Sequence, residues 1–112
     1  MSLTNAFETS TLQYLLTTGS VTRPTAWYVG LFTSDPTDTG AAGTEVSGNG
    51  YTRKAATFTV SGDTASNSAS IEFPAASGGN WGTVGWIGIM DAASGGNMII
   101  HSALTTAKAI ND

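Results

Sequence analysis

Clusters of turn-forming residues recur along the chain and cut everything after residue 20 into short runs, which steers the fold toward short strands joined by tight turns. The longest cluster, residues 34–50, holds almost nothing apolar except Val46. Others fall at 61–64, 74–80 and 91–97, each carrying glycine. Between them, Ala26-Trp-Tyr-Val-Gly-Leu-Phe-Thr33 is rich in aromatic and branched residues and lies between Pro24 and Pro36, so it predicts a strand buried on both faces over 26–33. The run 51–60 places Ala56, Phe58 and Val60 on one face, and 65–73 does the same with Ala69, Ile71 and Phe73 before Pro74 stops it. The two read as a hairpin or as near neighbours. Glycines punctuate the apolar run 83–90 and permit close approach of a ring or a neighbouring chain, and a last strand follows over 97–104. The expected architecture is therefore mostly β, in a single domain over 1–112: an antiparallel β-sandwich, jelly-roll-like, or a small barrel, with a short N-terminal helix.

That helix is predicted over 5–17. Asn5-Ala-Phe-Glu8 has the form of a capped start, with Glu8 placed to reach back to the N–H of an Asn5 cap. Phe7, Leu12, Tyr14 and Leu15, with Leu3 and Leu16, fall near helical spacing until Thr17-Thr-Gly-Ser20 ends the pattern. An apolar face of this kind needs a cover. The chain's own sheet is the expected one and a neighbouring subunit is the alternative.

A chain of 112 residues buries a modest share of its surface, and with no cysteine it has neither disulfides nor thiolate metal sites to staple a small core. Assembly is the remaining common staple. Charged residues make up 11%, against roughly 25% in ordinary soluble domains. Weakly charged surfaces of small side chains pack against neighbours at little entropic cost, which points to an assembled subunit. The net charge is −4, and the four bases, Arg23, Arg53, Lys54 and Lys108, are scattered apart from the adjacent pair Arg53-Lys54, which argues against a direct nucleic-acid partner. The N-terminal residues carry no basic stretch and no apolar run of membrane-spanning or signal-peptide length, so no membrane partner is expected and folding in a host cytoplasm is.

The inventory for catalysis is thin. His101 is the sole histidine and sits in a predicted strand, where a local hydrogen bond or a contact with a neighbour is the expected role. Most of the acids lie in turns, where Asp serves the backbone. Asp35, Asp38 and Glu45 match no calcium-loop spacing. The glycine clusters lack the Gly-Lys-Ser/Thr of a phosphate loop. Trp27, Trp81 and Trp86 are expected in the core and not on a sugar-stacking platform. No catalytic, cofactor or metal residue is predicted. The long turn-rich segment is uncommon for a compact domain unless it binds something. Asp35, Asp38, Glu45 and Val46, with Phe7, Leu12, Tyr14 and Leu15 of the helix, are thus the candidate subunit contacts.

Trp27-Tyr-Val-Gly-Leu-Phe-Thr-Ser-Asp-Pro-Thr-Asp-Thr-Gly40, followed by Gly43-Thr-Glu-Val-Ser-Gly-Asn-Gly-Tyr51-Thr-Arg53, resembles a family of small phage and prophage virion structural proteins commonly labelled tail-fibre-like. The resemblance continues through Phe73-Pro74, Trp81-Gly-Thr-Val84, Gly88-Ile-Met-Asp-Ala-Ala-Ser-Gly-Gly-Asn97 and Ala103-Leu-Thr-Thr106, and so covers nearly the whole chain. It implies a virion subunit with no catalytic residues to carry over. Members of the family usually run on past 110–112 with a Gly-Asp turn and a further alternating strand. The expectation is that the native chain continues there, the alternative being an open edge completed by a neighbouring chain.

Two roles in a particle fit. Small size, the lack of a fibre-like repeat and the docking helix point first to a capsid decoration or cement protein that binds the major capsid protein and copies of itself, as a trimer. The family label points to the alternative, a tail fibre or adhesin module bound to other tail proteins.

Overall fold

The computed structural model describes residues 1–112 and is built almost wholly from antiparallel strands. In chain order these are β1 (Ser2–Leu3), α1 (Asn5–Leu16), β2 (Tyr28–Phe32), β3 (Lys54–Ala55), β4 (Phe58–Ser61), β5 (Thr64–Asn67), β6 (Gly82–Met90) and β7 (Met98–Ile110). One sheet has the order β1-β7-β6-β2-β3, and β4 and β5 form a separate hairpin. The larger sheet is open, with β1 and β3 at its margins, so the barrel alternative does not form. The hairpin supplies a second, much smaller layer.

Register explains why the apolar runs behave as strands. Val29, Ile89 and Ile100 stand side by side across β2, β6 and β7, as do Leu31 and Ile87, so one face of the sheet is aliphatic. The other face carries Phe32, Met90 and Met98, with Tyr28 and Trp86 packed on them. Gly30 and Gly88 face one another in this layer. A Cβ on Gly88 would lie 2.5 Å from Met98 Cε and 3.1 Å from the Phe32 ring, so the close approach expected at these glycines is realised by side chains of the same domain.

The main core lies at one end of the sheet. Leu31, Val46, Ala76, Trp81 and Val84 are buried there, with Tyr51, Phe73, Ile87, Leu104 and Ile110 packed around them. Trp81 meets the Tyr51 ring edge-on at 5.4 Å and donates its indole N–H to the Asn49 carbonyl at 2.9 Å, so its polar atom is satisfied where its ring is buried.

Several expectations need correction. The helix is capped by Thr4 and not by Asn5, and the Thr4 hydroxyl donates to the Met98 carbonyl at 2.7 Å, so no capping box with Glu8 forms. The 51–60 strand is broken: Ala56 is buried, donates to the Trp27 carbonyl at 2.9 Å, and separates β3 from β4. The predicted 65–73 strand ends at Asn67. Phe73 is drawn into the main core beside Tyr51, while Ala69 remains exposed. The last strand runs six residues beyond 104, because the Ile110 carbonyl accepts from Trp81 N and Gly82–Val84 pair with 108–110. Trp27 is not a core residue; it is 36% exposed just ahead of β2.

Candidate functional site

The two groups of candidate contact residues have different fates. In the 34–50 segment the four candidate side chains are each held by their own chain. Val46 is 5% exposed and belongs to the main core, so it has no surface to offer a partner. Glu45 accepts from Arg53 Nε and Nη2, each at 2.8 Å, and from the Tyr51 hydroxyl at 2.6 Å. Arg53 in turn donates to the carbonyls of Ala92 and Gly95, so one buried guanidinium ties this segment to the β6–β7 turn. Burial alone pushes the Glu45 carboxyl up, but the hydrogen bonds from Arg53 and Tyr51 outweigh it and hold it below its ordinary value. Burial, then the Glu45 carboxylate, pushes the Tyr51 hydroxyl well up.

Asp38 accepts from Ser2 Oγ at 3.1 Å and lies 2.9 Å from His101 Nε2, and its backbone carbonyl accepts from Asn5 N at 2.8 Å. The His101 and Ser2 hydrogen bonds hold its carboxyl below the usual range. His101 therefore makes the local contact expected of it and fastens the 34–50 segment to β7. Asp35 turns back to the Thr37 N–H at 2.9 Å. The three carboxylates point to three different partners, and nowhere do three His, Asp or Glu side chains converge as a metal site would require. The segment is thus less open than its composition predicts, because Pro36 and Val46 are buried and its ends bond to β2 through Thr33 N–Thr44 O and Val46 N–Leu31 O.

The helix is the opposite case. No residue of α1 is buried. Leu12, Tyr14, Leu15 and Leu16 are 57% to 77% exposed, Phe7 and Ser10 are half-covered, and Phe7, Tyr14 and Leu15 border a hollow shared with Val21–Pro24 of the returning chain. The helix does not pack on its own sheet as expected. Its root is nevertheless fixed: Thr4 N donates to the Ile99 carbonyl at 2.9 Å, and β1 pairs with β7 at Ser2–His101 and Leu3–Ile100.

Asp38, Glu45 and His101 thus serve ties within the chain, and the exposed leucines of α1 form its most prominent uncovered apolar feature. The family model described as "Podophage GP4 fiber I protein gp80" matches residues 2–112. The chain belongs to this phage fibre family. It is a virion structural protein of the fibre class, in agreement with the tail-fibre-like resemblance read from its motifs. No curated protein matches the chain.

One apolar surface of this fibre-family chain escaped sequence reasoning. Phe58, Val60 and Ala65 of the hairpin, with Trp27 ahead of β2, line a groove of about 450 Å³ together with Ile89, Ile99 and Ile100 of the sheet. The period-2 pattern placed Phe58 and Val60 inward, yet Val60 is 76% exposed, because the hairpin stands off the sheet instead of closing on it. The signal available in the sequence was the pair of short runs around Ser61-Gly-Asp-Thr64, which are rich in Thr, Ser and Ala and supply too little apolar bulk to close a second layer.

Proposed function

We propose that this chain is a non-enzymatic fibre-class subunit of the virion, present in many identical copies and attached through α1. The exposed apolar helix carries this reading. A 12-residue helix is marginal in water by itself, and solvent-facing leucines on a chain with so few charges gain most when a neighbouring subunit covers them. The absence of heptads and of a shaft repeat, together with extents of 50 × 29 × 25 Å, supports a second reading. In that reading the same surface decorates the head lattice against the major capsid protein.

Electron cryo-microscopy of the intact particle separates the two. Density for this chain in the tail fibres, in a handful to a few tens of copies, supports the fibre reading. Density spread over the capsid in hundreds of copies replaces it with the decoration reading, and absence from the particle overturns both.

A further inference from the structure

The chain carries both halves of a complementary contact. On α1, Glu8, Leu12, Leu15 and Leu16 lie at i, i+4, i+7 and i+8 and form one stripe about 100° wide. Glu8 is the only charged side chain on the helix. The groove between the hairpin and the sheet is apolar apart from Arg23, the only charged side chain lining it, and Arg23 makes no ion pair. No residue of α1 lines that groove, although Tyr14 and Leu15 border a neighbouring hollow that shares Arg23 with it. The helix is rooted by the Thr4 and Asn5 hydrogen bonds to Ile99, Met98 and Asp38, so it cannot swing into the groove of its own chain without breaking them.

The surface area points the same way. The chain exposes 7020 Å², where a compact protein of its mass exposes about 5,800 Å². The surplus of about 1,200 Å² exceeds the roughly 800 Å² that each partner contributes to a standard interface. The radius of gyration, 14.9 Å, is likewise above the roughly 13 Å of a compact chain of this length.

We infer that the α1 stripe of one copy docks in the hairpin groove of a second copy, with Leu12, Leu15 and Leu16 against Trp27, Val60 and Ile89 and Glu8 beside Arg23. This is a helix-in-groove contact, with anchors at the spacings such contacts use. The inference rests on reading the chain as a repeated subunit with α1 as its attachment element. Because the two surfaces differ, the contact is heterologous and joins copies head to tail, which gives a closed ring when the rotation allows and a filament when it does not.

The absence of cysteine permits a direct test on the full chain. Leu15→Cys and Val60→Cys chains, purified separately and mixed under oxidising conditions, are expected to give a covalent dimer well above that of either variant alone. Glu8→Arg and Arg23→Glu are each expected to weaken self-association in sedimentation by about tenfold, and the double variant to recover it. These exposed charge changes leave folding intact, as circular dichroism of each variant would verify. A monomer at all concentrations up to the millimolar range, or mixed disulfide no more abundant than in the single variants, overturns the inference. Finding the chain in the particle by microscopy while the purified chain stays monomeric would sink the self-docking alone and leave the virion reading standing.

Discussion

The two ends of the main sheet use similar apolar residues to opposite effect. At the Trp81 end, Leu31, Val84 and Ile87 of the sheet are covered by Tyr51, Phe73 and Ala76 from the connecting segments, and Arg53 with Glu45 clamps that cover in place. At the other end Ile89, Ile99 and Ile100 border a hairpin of Thr, Ser and Ala with only Phe58 and Val60 as bulk, and a groove remains. One end is closed within the chain, and the other keeps an open groove. The difference arises from volume: three aromatic rings fill the first site, whereas one ring and one valine on a hairpin that stands off cannot fill the second.

The sharpest way to break this comparison is to remove the aromatic that closes the finished end. Trp81→Ala is expected to cost about 3–5 kcal/mol, a large share of the stability of a domain this small, read as the loss of most of the free energy of unfolding in urea. A midpoint unchanged from the native chain would show that the Trp81 end does not hold the fold together.

Arg53→Ala comes next. It strands a half-buried Glu45 and frees the β6–β7 turn. The expected cost is about 2–3 kcal/mol, below that of breaking a fully buried pair, because the Glu45 side chain keeps 24% of its exposure. Glu45→Gln, which keeps the shape and removes the charge, should cost less.

The same clamp sets an acid dependence. Glu45 is held below its ordinary value of 4.5 in the folded chain, so its contribution is present in full above that pH and is lost as pH falls through the depressed folded value. Asp38 is depressed by His101 and Ser2 and acts in the same sense. Unfolding followed from pH 6 to pH 2 should therefore show stability falling with acid, and Glu45→Gln should flatten that fall. A Glu45→Gln profile parallel to that of the native chain would remove the clamp from the explanation.

The smallest effect on stability is expected at the open end. Leu12→Ser with Leu15→Ser should change the unfolding free energy of the isolated chain by no more than about 0.5 kcal/mol per site, as exposed substitutions do, while incorporation into particles falls sharply. A large loss of stability would mean that α1 already serves the fold of its own chain, and would erase the contrast between the two ends.

Much of the strand content was legible in the sequence, since crowded or alternating apolar runs between turn clusters leave few other options. Tyr28–Phe32 and Gly82–Met90 fall almost where predicted, and α1 differs from its predicted span by a single residue. The candidate contacts divide by burial. Leu12, Tyr14 and Leu15 are exposed, whereas Glu45 and Val46 are absorbed by Arg53 and the core. Composition cannot separate a turn-rich segment that faces solvent from one folded back on a strand, because both use the same Gly, Asp and Thr. What distinguishes them is one guanidinium eight residues away that reaches Glu45 and, across the chain, the carbonyls of Ala92 and Gly95.

By itself the sequence determined the class of fold, the place of the helix and the family, because local propensity, turn chemistry and an ordered run of motifs are all written along the chain. Only the tertiary structure decided which apolar faces are spent. Whether Val60 and Leu16 are core or surface depends on whether enough bulk arrives from distant segments to cover them, and that is a property of volumes meeting in space, to which a periodic pattern is blind. Val84 at 1% exposure and Val60 at 76% stand on equally plausible strand positions; the first meets Trp81 and Leu31 in one core, and the second is left at the rim of an open groove.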